Sequence, residues 1–498
     1  MVPLTQAFDD LQSGLADVLA LNKPGSVEPH VVVVLPSFSL GESLLCHYAD
    51  RIPSLEHRFL VACLMLCRIQ ACEMVFVTCE APTAAVIDYY LSLVPDQFRD
   101  SVRSRLRTVV VDDLSPRAVA AKLLDRPEVL DRLRDSFDGR PAFVEPWNVT
   151  DLEVAVAGRL GVPVNGTAPD LWPLGYKSAG RRLFREAGVP TPFGREDVHS
   201  VEEAVEALVA VRRARPDAPG AVIKHDNSGA GDGNVVIDFR DLPDGAAEVD
   251  ALRTSVESLP EWYREDLRLG GVVEELVAGA LVTSPSVQLD ILPGGAVEVL
   301  ATHEQVLGGE TGQVYTGCRF PADPAYAAEL ARHGGAVGER LAAAGVLGRL
   351  SVDFVAADDG AGAWAISALE VNLRKGGTTP PYAVLRNLVP GRYEVDPGRW
   401  LAEDGTVRAY RSTDNLVDER WRVLSPSEVI VAVTASGVGF DPVTGTGVVL
   451  HMLSGLHIDG RFGLTAIGLT PDHADELHER AKSAVEAVTL AAEVVRAD

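Results

Sequence analysis

RLSVDFVA (349–356) and WAISALEVNLRKGGTTPP (364–381) decide how this chain is read. Both open as apolar strands. In the second, Leu369 and Val371 alternate with Glu370 and Asn372, and a strand sends successive side chains to opposite faces. Glu370 and Asn372 therefore share a face, and Asp353 on the first strand is expected to join them. A carboxylate turned into an apolar strand pair is costly without a cation. Three hard oxygen donors from neighbouring strands suit Mg²⁺, which takes few protein ligands and fills its shell with phosphates and water. The plainer alternative is a solvent-facing polar stripe on an edge strand. Arg374, Lys375, Gly376 and Gly377 follow at once, then Thr378 and Thr379. Cations beside metal-bound phosphate offset charge that develops in phosphoryl transfer, and the Gly-Gly-Thr-Thr turn adds N–H and hydroxyl donors. A basic turn that merely caps a strand is the competing reading.

Further upstream, strand GAVIKH (220–225) runs through NSGAGDGN (227–234) into strand VVIDF (235–239). Glycines leave backbone N–H groups uncovered, so Ser228, Gly229, Ala230 and Gly231 could close over phosphate oxygens. The spacing is neither GxxxxGK[ST] nor GxGxxG, and a strand follows where those motifs need a helix. A hairpin with a phosphate-covering tip, or a plain mobile hairpin, remains. Two lysines accompany it in a lysine-poor chain: Lys224 ends the preceding strand and Lys177 starts the helix of YKSAGRRLFREAGVPTPFG. An ammonium is a compact charge suited to polyphosphate, although either could be an ordinary surface lysine. That helix is expected to stop at Gly188, with Pro190 beyond. VVEELV (272–277) reads as a short strand whose edge could offer a C=O and an N–H to a purine, with a side chain from Glu274 or Glu275.

The rest supplies a scaffold. HVVVVL (30–35) is a continuous β-branched run, the mark of a parallel strand buried on both faces. MVFVT (74–78), TVVVD (108–112) and AFVEP (142–146) alternate with helices, which implies an open α/β sheet. SPSVQLDIL (284–292) and AVEVLATHEQV (296–306) are later strands; His303, Glu304 and Gln305 close the second, beside an acceptor site or in a structural role. The tail from about 410 reads as separate, with strands EVIVAVTAS (428–436), GVVLHML (447–453) and FGLTAIGL (462–469). A final helix follows, with Thr470 as N-cap and Pro471 at N1.

The net charge of −26 repels phosphate backbones and anionic lipid, so neither nucleic acid nor membrane is expected as a partner. The start MVPLTQAFDDLQSG carries no secretory pattern and no run is long enough to span a bilayer, so a cytoplasmic protein is expected. Five of six cysteines lie between Cys46 and Cys79; without a CxxC pair they read as buried reduced thiols rather than a metal cluster. Wide apolar C-terminal strands leave a homodimer open.

The ordered set Lys177, Lys224, Ser228–Gly231, Glu274-Glu275-Leu276-Val277, Asp353, Glu370 and Asn372, with AGVPTP after the first lysine, resembles the ATP-grasp superfamily over about 150–390. LPSFSL (35–40), VEPWNVTDLEVAVAGRLGVPVNG (144–166), GCRFPA (317–322), EVNLRKGGTTPP (370–381) and TGTGVVLHMLSGL (444–456) look like the pheganomycin-type peptide ligases, over nearly the whole chain. The resemblance implies a multidomain α/β and α+β fold. Residues 1–150 would form a Rossmann-like pre-ATP-grasp domain, 151–405 the two-part ATP-grasp domain, and 406–498 a small C-terminal α+β domain. It implies ATP and Mg²⁺, with Lys177, Lys224 and the loop on phosphates, Glu274–Val277 on adenine, and Asp353, Glu370 and Asn372 on the metal. One departure is that many members carry a ribose-binding Glu just past the hinge glycine, where this chain has Ala280-Leu281.

The activity implied is ATP-dependent ligation of a carboxylic acid to an amine, an amino acid or peptide, through an acyl phosphate. Arg374 and Lys224 would serve the chemistry, and His303, Gln305, Lys375, Gly376 and Gly377 would meet substrate. Rival readings are a hydroxyl or intramolecular nucleophile, or a nucleotide-binding regulatory protein without catalysis.

Overall fold

The computed structural model describes residues 4–39, 45–46, 48–228, 233–243, 245–308 and 314–497. Its first unit is a parallel sheet of β1 (His30–Leu35), β2 (Cys72–Thr78), β3 (Leu106–Val110) and β4 (Ala142–Pro146), ordered β3–β2–β1–β4. All six residues of β1 are buried. Val31, Val33 and Leu35 enter one core with Val156 and Leu160, while Val32 and Val34 enter another with Leu60, Leu64 and Phe76. Covering both faces removes the need for a polar alternate, which is why the run is continuous. Each such side chain contributes about 1.5–3 kcal/mol by burial. Cys63, Cys72 and Cys79 are buried in the same region, and burial pushes the Cys72 thiol up to about 12.

The second unit is an antiparallel sheet of β5 (Gly194–Arg195), β6 (Gly220–His225), β7 (Asn234–Asp238) and β8 (Gly271–Glu275), ordered β5–β8–β6–β7. Helices 201–214 and 246–257 cover it through Val205, Leu208, Leu252 and Val256. The β6–β7 ladder runs from Gly220 opposite Asp238 to Lys224 opposite Asn234, which puts the glycine-rich segment at a hairpin tip.

The third unit is an eleven-stranded sheet. It holds β9 (Leu281–Thr283), β10 (Pro285–Ile291), β11 (Val297–Gly308), β12 (Val314–Phe320), β13 (Gly348–Asp358), β14 (Trp364–Asn372), β15 (Gly391–Glu394), β16 (Arg399–Ala402), β17 (Val407–Val417), β18 (Gly447–His451) and β19 (Arg461–Gly468). Helix 327–343 lies on it and shares a core with Val287, Leu289 and Phe354, as does Phe184 of helix 177–186. That second helix ends as expected, with Gly188 at φ +68°.

Two expectations about the tail change. The segment from about 410 is not set apart: β17 pairs with β12 on one side and β19 on the other, so it extends the large sheet. One core also joins Leu60 and Phe76 of the first unit to Trp421, Leu450 and Leu464. Pairing partners so distant in sequence leave no local pattern to read. EVIVAVTAS, expected as a strand, is helix Pro426–Ala435. Ser425 and Glu428 form a reciprocal capping box with Pro426 at N1, and Val429 and Val433 bury one face four residues apart. The start signal outweighs the β-branched composition. The last helix, Pro471–Ala497, opens as expected, with the His473 N–H donating to Thr470 Oγ1 at 3.1 Å. Among the described residues no helix is long and apolar enough to cross a membrane.

Candidate active site

A cleft of about 890 Å³ lies between the second and third units. Lys177, Lys224, Glu274, Asp353, Glu370, Asn372 and Arg374 all line it, although they span some 200 positions of sequence. Lys177 is placed by its helix start. Asp226, at the root of the glycine-rich hairpin, accepts from the Ser178 N–H at 2.8 Å and the Ser178 hydroxyl at 2.7 Å. A carboxylate at a helix N-terminus satisfies orphan N–H groups and suits the dipole, so the hairpin root is tied to the lysine-bearing helix. The Lys177 ammonium donates to Ser228 O at 2.9 Å and Ser228 Oγ at 3.0 Å, and its Nζ lies 3.5 Å from Glu370 Oε2 on the opposite wall. The candidate phosphate residues Gly229, Ala230 and Gly231 lie outside the described residues.

Lys224 and Glu274 project from the same face of adjacent strands, two residues apart in register, and form a buried ion pair. Arg181, one turn along the helix from Lys177, donates to the other Glu274 oxygen at 2.9 Å. Glu274 is 3% exposed, and a carboxylate so buried holds only with partners of this kind. Glu275 is also committed: it accepts from the Phe193 N–H at 2.7 Å and lies 2.9 Å from Arg215 Nε. Both glutamate side chains are thus held by partners within the protein while lining the cleft. The Leu276 N–H donates to Gly220 O at 2.9 Å, whereas among the described residues no acceptor meets the Val277 N–H. The backbone edge at Val277 is the part of the hinge that can address a base.

β13 and β14 place Asp353 directly opposite Glu370, beside a register shift between Asp353 and Phe354. Asn372 Nδ2 donates to Asp353 Oδ2 at 3.0 Å and to Glu370 Oε1 at 3.4 Å. The three expected oxygen donors thus converge. Burial and the neighbouring Glu370 charge hold the Asp353 carboxyl well above the usual range. For Glu370, burial acts upward, but Lys177, Lys224 and Arg374 outweigh it and hold it below. Two carboxylates at one spot, one reluctant to ionise, are a site short of positive charge. The donor set fits a hard divalent cation.

Arg374 follows β14, with its guanidinium 5.1 Å from the centre of the Trp147 ring. Burial pulls its pKa down, while Glu370 and Asp353 act to raise it. Gly376 and Gly377 line the cleft; a Cβ at Gly377 would run into the Tyr315 ring and force it to move. Gln305 also lines the cleft, with its N–H on Ser284 O at 3.0 Å.

Two expected substrate residues point elsewhere. The Lys375 ammonium pairs with Glu145 Oε1 at 2.7 Å and donates to Pro146 O, fastening the turn to β4. The His303 ring is fully buried, 2.6 Å from the Tyr410 hydroxyl, and burial lowers its pKa to about 3. Lys375 lies past the end of β14, in the turn that packs on β4, and His303 points into the core shared with Tyr410 and Phe320.

Glu304, expected beside an acceptor site, does line the cleft, whereas Arg58, Tyr315, Arg319 and Asp323 were not anticipated. Glu304 accepts from the Tyr326 hydroxyl, and burial raises its pKa. Arg181 could have been found from its four-residue spacing after Lys177. Arg58 comes from the first unit and has no local signal.

Comparison with known proteins agrees with this geometry. A family model described as IQCH-like, ATP-grasp matches residues 253–374, and one described as PGM1 C-terminal domain matches 428–481. The chain is 32% identical over 417 residues to the L-propargylglycine–L-glutamate ligase of Streptantibioticus cattleyicolor, covering 81% of this chain and 83% of that protein. It is 26% identical over 285 residues to IQ motif-containing protein H of Danio rerio, covering 49% of this chain and 27% of that protein. The biotin carboxylase domain of Hydrogenobacter thermophilus 2-oxoglutarate carboxylase, solved with MgADP, superposes with a TM-score of 0.53 at 13% identity, over 91% of this chain and 89% of that one. The ADP complex of N5-carboxyaminoimidazole ribonucleotide synthetase gives 0.50 at 13% identity, over 94% and 99%; these two likenesses show the fold alone. The fold is that of an ATP-grasp enzyme. More particularly, the chain belongs to the ATP-grasp carboxylate–amine ligases, the family of the propargylglycine–glutamate ligase. It is an ADP-forming ligase that uses ATP and Mg²⁺ to join a small-molecule carboxylic acid to an amine.

Proposed function

We propose that this chain joins the carboxylate of one amino acid or short peptide to the amino group of another, in the assembly of a small peptide natural product. The observation that carries this is the Lys177–Glu370 contact at 3.5 Å, where the phosphate-binding half meets the carboxylate-bearing half. It supports a reading in which a phosphate-holding lysine and the metal donors serve one end of the cleft. The propargylglycine–glutamate relative, named for two amino acids, supports the substrate class.

Asp353, Glu370 and the Asn372 amide oxygen would hold Mg²⁺. The ion, when bound there, would supply positive charge against the phosphates. Lys177 and Lys224 offset the remaining phosphate charge, with Glu274 and Arg181 fixing where the Lys224 ammonium sits. The Val277 N–H meets the adenine edge. A carboxylate is inert to amines because its carbonyl carbon is electron-rich. Its oxygen attacks the γ-phosphorus, ADP leaves, and an acyl phosphate results. The amine nitrogen then attacks the carbonyl carbon; the amide bond forms as phosphate departs and the nitrogen loses a proton. Arg374 stabilises the oxyanion between these two events.

The test is ADP release with amino acids and dipeptides, singly and in pairs, with mass detection of products. Release that depends on two components, with a product equal to their summed mass less one water, is the expected result. ADP release that requires no acid, or an ester product, would displace this reading.

A further inference from the structure

The cleft holds a cation that the phosphoryl-transfer scheme does not use. Arg58 lies on the 3₁₀ stretch Arg58–Cys67 of the first unit, yet it lines the cleft between the other two. Its guanidinium pairs with Asp414, which sits at a register shift of β17 where the ladder to β19 is interrupted. The Arg58 side chain is 12% exposed, and among the described residues its buried Nε meets no hydrogen-bond acceptor. Arg374 is close enough that the two guanidiniums repel, and Tyr315, packed on Gly377, lines the same cleft.

One carboxylate, Asp414, stands against this arginine, whose fork has five N–H donors. Arg58 lines the cleft, and its fork has donors beyond the one held by Asp414, so an incoming anion can share it. A second carboxylate suits it, because a guanidinium binds one through two parallel N–H bonds. The phosphate-binding lysines lie toward Glu370 and Glu274. Arg58 is held instead by the C-terminal segment, beyond Arg374. On this arrangement a group at Arg58 would be a second carboxylate, on the same substrate or on the acceptor, and not the one that meets the γ-phosphate.

We propose that Arg58 binds the non-reacting carboxylate of an amino-acid substrate, with Asp414 as the positioning residue that holds its fork. Arg58 would thus be a specificity determinant contributed by the first unit, making the cleft selective for substrates with a free carboxylate. The assignment rests on the carboxylate–amine ligase reading above.

The test measures ADP release by the full chain. The probes are L-glutamate, L-propargylglycine and the other common amino acids in pairs, alongside the same compounds with the carboxylate that does not enter the new amide bond converted to a carboxamide. Wild type should prefer the free acid to the amide by at least about tenfold in kcat/KM for one of the two substrates, a typical effect of one charged hydrogen-bonding pair. Arg58→Gln should raise KM for that substrate by tenfold or more, leave KM for ATP within twofold, and erase the preference over the amide. Arg58→Lys should recover part of the preference, and Asp414→Asn should weaken it without moving KM for ATP. A purely structural latch would move all KM values and the melting temperature together. Wild type that uses acid and amide alike overturns the assignment even if no variant folds, as does an Arg58→Gln enzyme that keeps the preference. No acid-dependent ADP release with any pair overturns the ligase reading itself, and this assignment with it.

Discussion

Asp353 and Glu370 are direct partners across β13 and β14, two carboxylates facing each other at the floor of the cleft. Like charges placed so are destabilising, and Asn372 bridges them without neutralising either. The pair therefore costs stability until a cation binds. Asp353→Asn should melt at least as high as wild type in EDTA. It should also lose the stabilisation by MgADP, which for wild type at a hundredfold excess over Kd is about 2.7 kcal/mol. Calorimetry with and without MgADP checks both, and an undiminished MgADP shift in the variant would remove these residues from the metal site.

Arg374 is positioned for the reacting centre, not for the nucleotide. Arg374→Ala should lower kcat by about 10²–10³, the effect of losing one oxyanion donor, with KM for ATP little changed. Normal turnover would show that its place over Trp147 is structural.

Glu274 holds Lys224 on one side and Arg181 on the other, at 3% exposure. Glu274→Ala strips a buried anion from two cations and should cost about 3–5 kcal/mol in urea unfolding. Glu274→Gln should cost less, since it still accepts a hydrogen bond. A loss below about 1 kcal/mol for the alanine variant would mean that water reaches this pair.

His303 is buried with its pKa lowered to about 3, so between that value and 6.5 the unfolded chain binds the proton that the folded chain refuses. Its contribution to stability is complete above pH 6.5 and declines as pH falls. From pH 7 to 5, wild type should lose about 1–2 kcal/mol more than His303→Gln. Urea midpoints at the two pH values give the difference, and parallel slopes would contradict a buried, neutral ring.

Much of this site was legible because its residues obey local periodicity. Glu370 and Asn372 share a face by the two-residue repeat of a strand, and Lys177 opens a helix whose stop at Gly188 is written in the chain. Where two local signals competed, at 428–436, the capping box prevailed over β-branched composition. Lys375 and His303 were misplaced because proximity in sequence was taken for proximity to substrate. One serves β4 and the other the core behind the sheet.

By itself the sequence determined which side chains share a strand face or a helix end, since backbone geometry repeats every two or every 3.6 residues. It also settled the chemistry those groups can perform. Only the tertiary structure decided that Arg58 and Asp414, 356 positions apart, meet beside Arg374, and that β17 continues the large sheet. Such contacts depend on how separate units pack against one another, and packing across distant segments has no period for a sequence to display.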